Sequence, residues 1–481
     1  MNVRPIGSFI FVVVVCLTVT AVEVTVDFEN VVGRIKPVNG VGQPPMVGAL
    51  GDWSMLHYLK EAGIPYSRLH DVGGWLGGGL YVDIPNLFPD FDANENNPEN
   101  YRFAYTDSLM KALAANGVEP FFRLGVTIEN FAGRGFPPVN IAPPKDYAKW
   151  ARIAEHVIRH YTEGWADGFS MKVKYWEIWN EPDNYEIPLE NCMWRGDWNS
   201  YLHFYGTVAP YLKAKFPHLK IGGYGSCGFY AATGADHVKV ANSSPRMTYF
   251  IDCFTNFLFC AKTKHWPLDF FSFHSYSLPD DVRQQVVYAR SKLDEYGFVS
   301  TEMCFNEWLP EPSLAALGTV SQAALIAGEL VDLQNGSCDM AMIYDARCGV
   351  GSFSPLFNPL TCKPHKAYYA FMAFNELRKA GTSIASKSDD LEIRVAAAKG
   401  NGMRTVLVVN ISNSEKELKF NGFDMDDAVC RIVDETHTWD VVPMFRMIPS
   451  MSFAVFTWPY VDMDAMSNGN NKGTCHAPLR P

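Results

Sequence analysis

The sequence predicts an α/β protein built from a (β/α)8 barrel, or TIM barrel, followed by a C-terminal β-sandwich domain, and three observations predict it. The chain has 481 residues, 48% hydrophobic and 19% charged, which indicates a globular protein longer than one hydrophobic core usually grows. Short apolar runs alternate with segments of helical period from about residue 35 to residue 380. From about residue 381, short strand-like runs are separated only by Gly, Asn, Asp and Ser.

The charge balance excludes one class of partner. The formal net charge is −11, from 41 basic and 52 acidic residues. A protein that binds a nucleic-acid backbone needs a clustered basic surface. We therefore expect no nucleic-acid partner.

Residues 1–21 have the pattern of a secretory signal peptide. One cation, Arg4, precedes an apolar run from Phe9 to Leu17, and Ala21 lies near the expected cleavage site. This run is shorter than the roughly 20 residues that span a bilayer. The pattern predicts a protein secreted to an extracellular or lysosome-like compartment, with no membrane segment after cleavage. The alternative interpretation is a buried N-terminal strand.

The segment 22–34 comes next. Its first residues, Val22 to Phe28, alternate apolar and polar side chains, which is typical of a half-buried strand. We expect this strand to pair with the β-sandwich domain.

Residues 35–380 form the predicted barrel, because eight apolar runs alternate with eight helical segments. The strands lie near 37–42, 66–70, 119–125, 173–180, 219–224, 268–274, 302–308 and 339–345. The helices lie near 53–62, 106–116, 147–161, 196–214, 245–263, 281–296, 319–334 and 366–378. For the first helix we expect Asp52 as N-cap and Gly63 as the end.

A doubly wound open sheet has a similar alternation and is the alternative to the barrel. No G-x-G-x-x-G or G-x-x-x-x-G-K motif follows a predicted strand, so nothing supports a nucleotide cofactor.

Residues 381–461 form the predicted β-sandwich domain, and residues 462–481 a flexible tail. The predicted strands of the domain are 391–395, 405–410, 417–420 and 452–457.

Eleven cysteines occur, one of them in the signal peptide. An oxidising compartment would let the others pair, and the pairs closest in sequence are Cys253 with Cys260 and Cys348 with Cys362. No two cysteines have C-x-x-C spacing, so the sequence does not indicate a zinc site. We also expect a glycoprotein, because N-glycosylation sequons begin at Asn242, Asn335 and Asn410.

Working residues of such a barrel lie at the C-terminal ends of its strands, and two of these ends carry carboxylates. The fourth strand ends in Trp179-Asn180-Glu181-Pro182, where proline stops the ladder and leaves Glu181 at the rim. Its alternative role is to cap the next helix.

The seventh strand carries the second carboxylate, Glu307, at its end, and Trp308 follows. Glu302 opens the same strand on the opposite face of the barrel, where a role in stability is expected. The alternative for Glu307 is a structural ion pair.

Two carboxylates that converge on one cleft are what glycosidic cleavage needs. One gives a proton to the leaving oxygen, and the other attacks or stabilises the anomeric carbon. Strands four and seven lie on opposite sides of the barrel, so Glu181 and Glu307 would face each other across its mouth. The reaction needs no metal or other cofactor. Glu181 must hold a proton near neutral pH, so we expect burial or Glu307 to raise its pKa.

Together, Trp179-Asn-Glu-Pro-Asp and Asn306-Glu-Trp resemble the motifs of the retaining (β/α)8 glycoside hydrolases. Within that clan the chain resembles glycoside hydrolase family 39, which holds β-xylosidases and α-L-iduronidases. The resemblance covers about residues 35–380. Supporting segments are 67–71, 100–107, 122–129, 269–276 and 344–347.

The resemblance implies roles for individual residues. It implies that Glu181 is the acid/base and Glu307 the nucleophile, although Thr301-Glu302 also resembles part of a family nucleophile segment. The residues implied to bind the substrate are Arg68, His70, Asn180, His274 and Tyr276. Separately, Trp179, Trp308 and Trp75 are expected to stack on sugar faces.

The predicted function is a secreted retaining exo-glycosidase, similar to β-xylosidases, that acts on an oligosaccharide or polysaccharide. One alternative is an α-L-iduronidase-like enzyme, for which Arg68, Arg123 and Arg347 could bind a uronate. A second is a carbohydrate-binding barrel without catalysis, and cleavage within a chain is a further option.

Overall fold

The structure is a computed structural model that describes residues 21–47, 51–73, 80–129, 140–233, 245–423, 425 and 427–460. The strands of the first half are β1 (Val22–Arg34), β2 (Gly40–Gly42), β3 (Tyr66–Leu69), β4 (Glu119–Leu124), β5 (Tyr175–Ile178), β6 (Lys220–Ser226), β7 (Phe270–Ser275), β8 (Glu302–Trp308) and β9 (Met340–Ile343). Those of the second half are β10 (Thr382–Ser388), β11 (Ile393–Gly400), β12 (Met403–Asn410), β13 (Lys416–Asn421), β14 (Val429–Val433), β15 (Thr438–Val442), β16 (Met447–Ile448) and β17 (Ser452–Pro459).

The described α-helices lie mainly between the strands of the first half. They are α1 (Leu56–Glu61), α2 (Ile84–Leu87), α3 (Ala104–Ala115), α4 (Tyr147–Thr162), α5 (Trp198–Lys215), α6 (Pro245–Thr263), α7 (Pro279–Glu295), α8 (Val320–Asn335) and α9 (Lys366–Ala380). Among the described helices, none combines the length and apolar character needed to cross a membrane.

Strands β2 to β9 pair in parallel in chain order, and β9 pairs with β2, which closes an eight-stranded barrel. A separate curled sheet follows it. The predicted fold class, a TIM barrel with a second β domain, is confirmed.

The first helix starts later than predicted. Asp52 Oδ1 accepts the N–H of Ser54 at 2.9 Å, and Met55 is the residue at the N-cap position of α1. The predicted N-cap was therefore wrong, because the aspartate closes a turn before the helix instead of capping it. Gly63 follows the helix with a φ of +59°, a left-handed conformation that glycine adopts without strain.

The interior of the barrel is layered. Its lower end is filled by a small apolar cluster, which includes the aromatic side chains of Phe121, Tyr175 and Phe270. Above it lies a buried polar layer that contains Arg68 and Glu177. This order follows from the period of two in β-strands: residues 175 and 177 point inward, whereas Trp176 packs towards the helices.

The second sheet has nine strands in the order β15-β14-β17-β12-β11-β10-β1-β13-β16. Strand β1 is paired antiparallel with β10 and parallel with β13. It is therefore an interior strand of this sheet, although it precedes the barrel in the chain. The strands that the sequence did not predict are β10, β14, β15 and the two-residue β16.

The two faces of this sheet pack differently. Val395 and Ala397 contribute to a core that the sheet forms by curling on itself. Ala396 and Ala398, which point the other way, belong to the same hydrophobic cluster as the barrel and its helices. Strand β11 therefore lies close against α8 and α9, and alternate residues stabilise two different cores.

Two covalent predictions conflict with the structure. Cys253 and Cys260 lie seven residues apart in α6, which separates them by roughly 10 Å along the helix axis, too far for a disulfide. Asn410 is fully buried, and its amide donates to the carbonyls of Ser414, Ile448 and Pro449. A glycan at Asn410 is incompatible with these bonds. Asn335 is exposed at the end of α8.

Several predictions lie outside the described residues. They are the signal peptide through residue 20, the sequon at Asn242, the tail 462–481 and Trp75, which falls within 74–79.

Candidate active site

Glu181 stands just beyond the end of β5, on backbone that departs from the strand. Trp179 and Glu181 have φ angles of +71° and +42°, values that cost a non-glycine residue about 1–3 kcal/mol. The N–H of Glu181 donates to the carbonyl of Gly225 at 2.9 Å, which holds the turn in place. The turn directs Trp179 into the helix layer, where its indole donates to the Met193 carbonyl, and brings Asn180 and Glu181 to the mouth of the barrel.

Glu307 reaches the mouth through a β-bulge. In the ladder with β7, Phe305 faces Phe273 and the next pair is Glu307 with His274, so Asn306 has no direct partner. A bulge interrupts the alternation of side chains. The side chains of Asn306 and Glu307 consequently both lie on the inner side of β8, and Trp308 turns outward into the cluster beneath the helices.

Both carboxylates line one cavity of about 730 Å³ at the C-terminal end of the barrel. One oxygen of Glu181, one oxygen of Glu307 and one nitrogen of His274 lie within 4.8 Å of one another. Arg68 Nη1 donates to Glu307 Oε1 at 2.6 Å, and the hydroxyl of Tyr276 donates to Oε2 at 2.8 Å. Glu307 is thereby oriented as an acceptor with a cation beside it.

A buried polar layer supports Glu307 from below. Arg68 Nε donates to Glu177 Oε2 at 2.7 Å, and its Nη2 donates to Asn180 Oδ1 at 2.6 Å. Glu177 Oε1 also accepts from Ser272 and Asn306. Because a guanidinium offers five donors in a rigid fork, one side chain holds Glu307 and Asn180 in fixed positions.

The protonation of Glu181 differs from the sequence prediction. His274 Nδ1 lies 2.8 Å from Glu181 Oε1, and Asn184 Nδ2 donates to Oε2 at 2.9 Å. Burial raises the pKa of Glu181, but His274 and Asn184 outweigh it and hold that pKa below its ordinary value. Burial opposes the charge on His274, but Glu307 and Glu181 raise its pKa. Both directions favour the charged forms of the pair in the free site, which is the opposite of the raised pKa that the sequence predicted for Glu181.

His70 is held as a neutral donor. Its Nδ1 lies 3.2 Å from Arg123 Nε, which has no lone pair and can only donate, so the proton of the neutral ring is on Nε2. That Nε2 lies 3.3 Å from Asp71 Oδ1 and 3.7 Å from Glu307 Oε1. Burial and the charges of Arg123 and Arg68 lower the pKa of His70 well below its ordinary value.

The predicted site residues divide into two groups. The cavity is lined by His70, Asn180, Glu181, Tyr276 and Glu307. Three others predicted to touch the sugar lie behind the wall and are fully buried: Arg68, His274 and Trp308.

These three corrections have separate physical causes. Arg68 belongs to the polar layer below the cavity, and His274 fills the gap between the two catalytic candidates. Trp308 points away from the cavity because the bulge at Asn306 reverses its side of the strand. Trp179 is likewise buried and does not line the cavity.

Sequence reasoning assigned no role to several residues of the site. Asp71 lines the cavity, and Asp345 holds Arg347 of the lining by an ion pair of 2.7 Å. Residues 349–354 form much of one wall. The available signal was position: Asp71 is the second residue after the end of β3, and Asp345 and Arg347 follow the end of β9. Glu177 was detectable as a charge inside an apolar strand.

The atoms of Glu181, His274 and Glu307 also have a spacing that can hold a metal ion. In this structure the same atoms are engaged with each other and with Arg68, Tyr276 and Asn184. The prediction that the reaction needs no metal or cofactor stays a prediction.

Comparison with known proteins gives a family match and several relatives of similar sequence or fold. Residues 47–299 match the family described as Glycosyl hydrolases family 39. A β-xylosidase of Geobacillus stearothermophilus is 29% identical over 209 residues, which are 42% of this chain and 36% of that relative. The match therefore spans about a third of the length of that curated relative.

Solved structures show the same fold. A glucosidase from Croceicoccus marinus superimposes with a TM-score of 0.72 at 19% identity, over 92% of this chain and 99% of that one. A monomeric β-xylosidase from Caulobacter crescentus gives 0.61 at 15% identity, over 90% and 99%. With the family match across more than half of its length, this chain belongs to glycosyl hydrolase family 39.

Proposed function

We propose that this protein is a retaining glycoside hydrolase, similar to β-xylosidases, with Glu307 as nucleophile and Glu181 as acid/base. The observation that carries the proposal is the pair of carboxylates in one cavity, with oxygens within 4.8 Å of each other. Retaining enzymes place their two carboxyl groups about 5–5.5 Å apart, whereas inverting enzymes leave about 6.5–9.5 Å for a water molecule. The short separation supports double displacement.

In the first step Glu307 attacks the anomeric carbon and forms a glycosyl ester, while Glu181 gives a proton to the leaving oxygen. Arg68 and Tyr276 donate to separate oxygens of Glu307 and so aim the carboxylate. In the second step Glu181 takes a proton from water, the water oxygen attacks the same carbon, and the ester bond breaks to release Glu307 as a carboxylate.

Acid catalysis requires the proton on Glu181 instead of on His274. A bound, uncharged sugar displaces water from the cavity. Separated charges are less stable with less water around them, so substrate binding favours the neutral pair of Glu181 and His274. When the glycosyl ester forms, the charge of Glu307 disappears, and one of the carboxylates that raise the pKa of His274 is lost.

The charges of the cavity favour a neutral sugar over the iduronidase-like alternative. A uronate would need a cation that is not already paired. Each arginine that the sequence offered for this purpose lies within 2.7 Å of a carboxylate. The pairs are Arg68 with Glu307, Arg123 with Asp83 and Arg347 with Asp345.

The shape of the cavity supports action on a terminal sugar. Pro44, Met46 and residues 347–354 line the cavity and follow the first and eighth strands, which lie across the barrel from the fourth strand and Glu181. The leaving group must depart past Glu181, so the sugar that is cleaved lies against this wall. The alternative of a carbohydrate-binding barrel without catalysis does not account for the two oriented carboxylates in the cavity.

We also propose, from the N-terminal pattern, that the protein is secreted. The expected result is a mature N-terminus close to residue 22, read by N-terminal sequencing of protein from culture medium. Full-length protein retained in the cells would contradict it.

Four substitutions test the reaction with nitrophenyl β-D-xyloside, galactoside, arabinoside and iduronide. Glu307→Gln and Glu181→Gln should each lower kcat by orders of magnitude. Glu302→Gln is the matched control, because Glu302 lies at the opposite end of β8, bonded to Tyr175 and Lys220; it should keep nearly the wild-type rate. Azide should rescue Glu307→Gly and yield a glycosyl azide of inverted configuration. Wild-type rates in both catalytic variants would overturn the proposal.

A further inference from the structure

Asp71 is a buried carboxylate of the cavity wall that the two-carboxylate mechanism does not use. It follows β3 with a φ of +54°, a left-handed conformation that aspartate adopts more readily than most residues. Its side chain is only 4% exposed, and it lines the cavity with His70 and Tyr344.

Fixed donors orient the Asp71 carboxylate. Oδ1 accepts the N–H of Ile128 at 3.2 Å and faces His70 Nε2 at 3.3 Å. Oδ2 accepts the hydroxyl of Tyr344 at 2.8 Å. A carboxylate offers about four lone pairs, so the described donors leave one acceptor position, on Oδ2.

The barrel decides which part of a sugar lies near Asp71. The anomeric carbon must lie between Glu181 on the fourth strand and Glu307 on the seventh, and the leaving group departs on the side of Glu181. The far side of the ring, with C3 and C4, then points towards the first, second and eighth strands. Asp71 follows the second of these strands, and Tyr344 follows the eighth.

We propose that Asp71 is a specificity-determining residue that accepts a hydrogen bond from the C3 or C4 hydroxyl of the sugar bound at Glu307. The proposal rests on the proposed function and deepens it. The carboxylate selects a neutral sugar that carries a hydroxyl at this position, and it repels an anionic substituent there.

The electrostatics of Asp71 agree with this role. Burial first, and then the charge of Glu307, raise its pKa to about 7. A hydroxyl that donates to Oδ2 stabilises the carboxylate form and offsets part of this cost.

The test pairs substitutions of Asp71 with removal of sugar hydroxyls. The probes are 4-nitrophenyl β-D-xyloside and its 3-deoxy and 4-deoxy analogues, and the readout is the ratio of kcat/KM between parent and analogue. Wild type should lose roughly 10- to 100-fold with one analogue, the cost expected for a hydrogen bond to a charged group. In Asp71→Gly this loss should shrink to about 3-fold or less. In Asp71→Asn, whose amide oxygen can still accept, it should shrink to the roughly 2- to 10-fold of a hydrogen bond between neutral groups.

Asp71→Gly should keep the backbone conformation at this position, because glycine adopts a positive φ more readily than aspartate. Asp83→Asn is the matched control: Asp83 is buried beside Arg123 and does not line the cavity, so the wild-type ratio should persist. An undiminished ratio in Asp71→Gly overturns the proposal.

Failure of the proposed function is distinguishable. If wild type hydrolyses no nitrophenyl glycoside, the comparison is made by calorimetric binding of D-xylose and its 3-deoxy and 4-deoxy forms. If removal of a hydroxyl from the sugar weakens its binding to wild type but not to Asp71→Gly, the result still supports the role of Asp71. Equal affinities in the two proteins overturn it.

Discussion

Arg68 lies directly beneath Glu307, with Nη1 2.6 Å from Oε1, and both side chains are buried. Burial opposes the charge on Arg68, but Glu177 and Glu307 hold its pKa above the ordinary value. A permanent cation thus supports the proposed nucleophile and, through Nη2, also holds Asn180. The site depends on the fork geometry of a guanidinium as well as on its charge.

Arg68→Lys should therefore lower kcat by about 100-fold or more, the scale seen when one oriented donor is lost from an active site. Lysine keeps the charge but cannot reach Glu177, Glu307 and Asn180 together. The measurement is kcat on an aryl xyloside. Arg152→Lys is the control, because Arg152 forms a partly exposed ion pair with Glu95. Full activity in Arg68→Lys would contradict this account of the polar layer.

His274→Asn should move the alkaline limb of the kcat/KM profile to lower pH. In wild type Glu181 and His274 share a proton across a contact of 2.8 Å, and Glu307 and Glu181 raise the pKa of His274. Without His274, Glu181 alone binds this proton, and it releases the proton at a lower pH than the pair does. The profile is measured from pH 4 to pH 9, and an unmoved limb would contradict the shared proton.

Asp183→Asn should stabilise the protein at pH 8 and have little effect at pH 4.5. Burial first, and then the charge of Glu181, raise the pKa of Asp183 from 3.8 to about 7. Between these values the folded protein binds a proton that the unfolded chain does not, so stability falls as pH rises. We expect the Tm of the variant to exceed that of wild type by several degrees at pH 8.

Differential scanning fluorimetry at both pH values measures this difference. Asp90→Asn, at an exposed position, is the control and should show the same small difference at both. A gain in Tm for Asp183→Asn that does not depend on pH would contradict the assignment.

Oxidation should join Cys348 to Cys362, whose sulfur atoms lie 3.7 Å apart. The closed loop carries residues 349–354 of the cavity wall. A disulfide that closes a loop of 15 residues adds about 3 kcal/mol of stability. Peptide mapping without reductant should find this cross-link and none between Cys253 and Cys260. Its absence after oxidation, or an unchanged Tm in Cys348→Ser, would contradict the prediction.

Much of the barrel could be predicted because its signals are local. The apolar run at 302–308 coincides with β8, and the helical period at 245–263 coincides with α6. Strand β1 is different: its alternation predicted a strand, but its parallel pairing with β13 is a contact between distant parts of the chain. Strand β15 has mostly exposed residues, so it had no apolar pattern to reveal it.

The sequence by itself determined the eight strands and the positions of Glu181 and Glu307 at strand ends, because hydrophobic period and strand-ending residues act within a few neighbours. Only the tertiary structure decided that Trp308 faces away from the cavity, that Glu181 lies against His274 and that Asp71 joins the wall. The physical reason is that a bulge in the register, the burial of a charge and the approach of another strand arise from contacts between segments far apart in the chain.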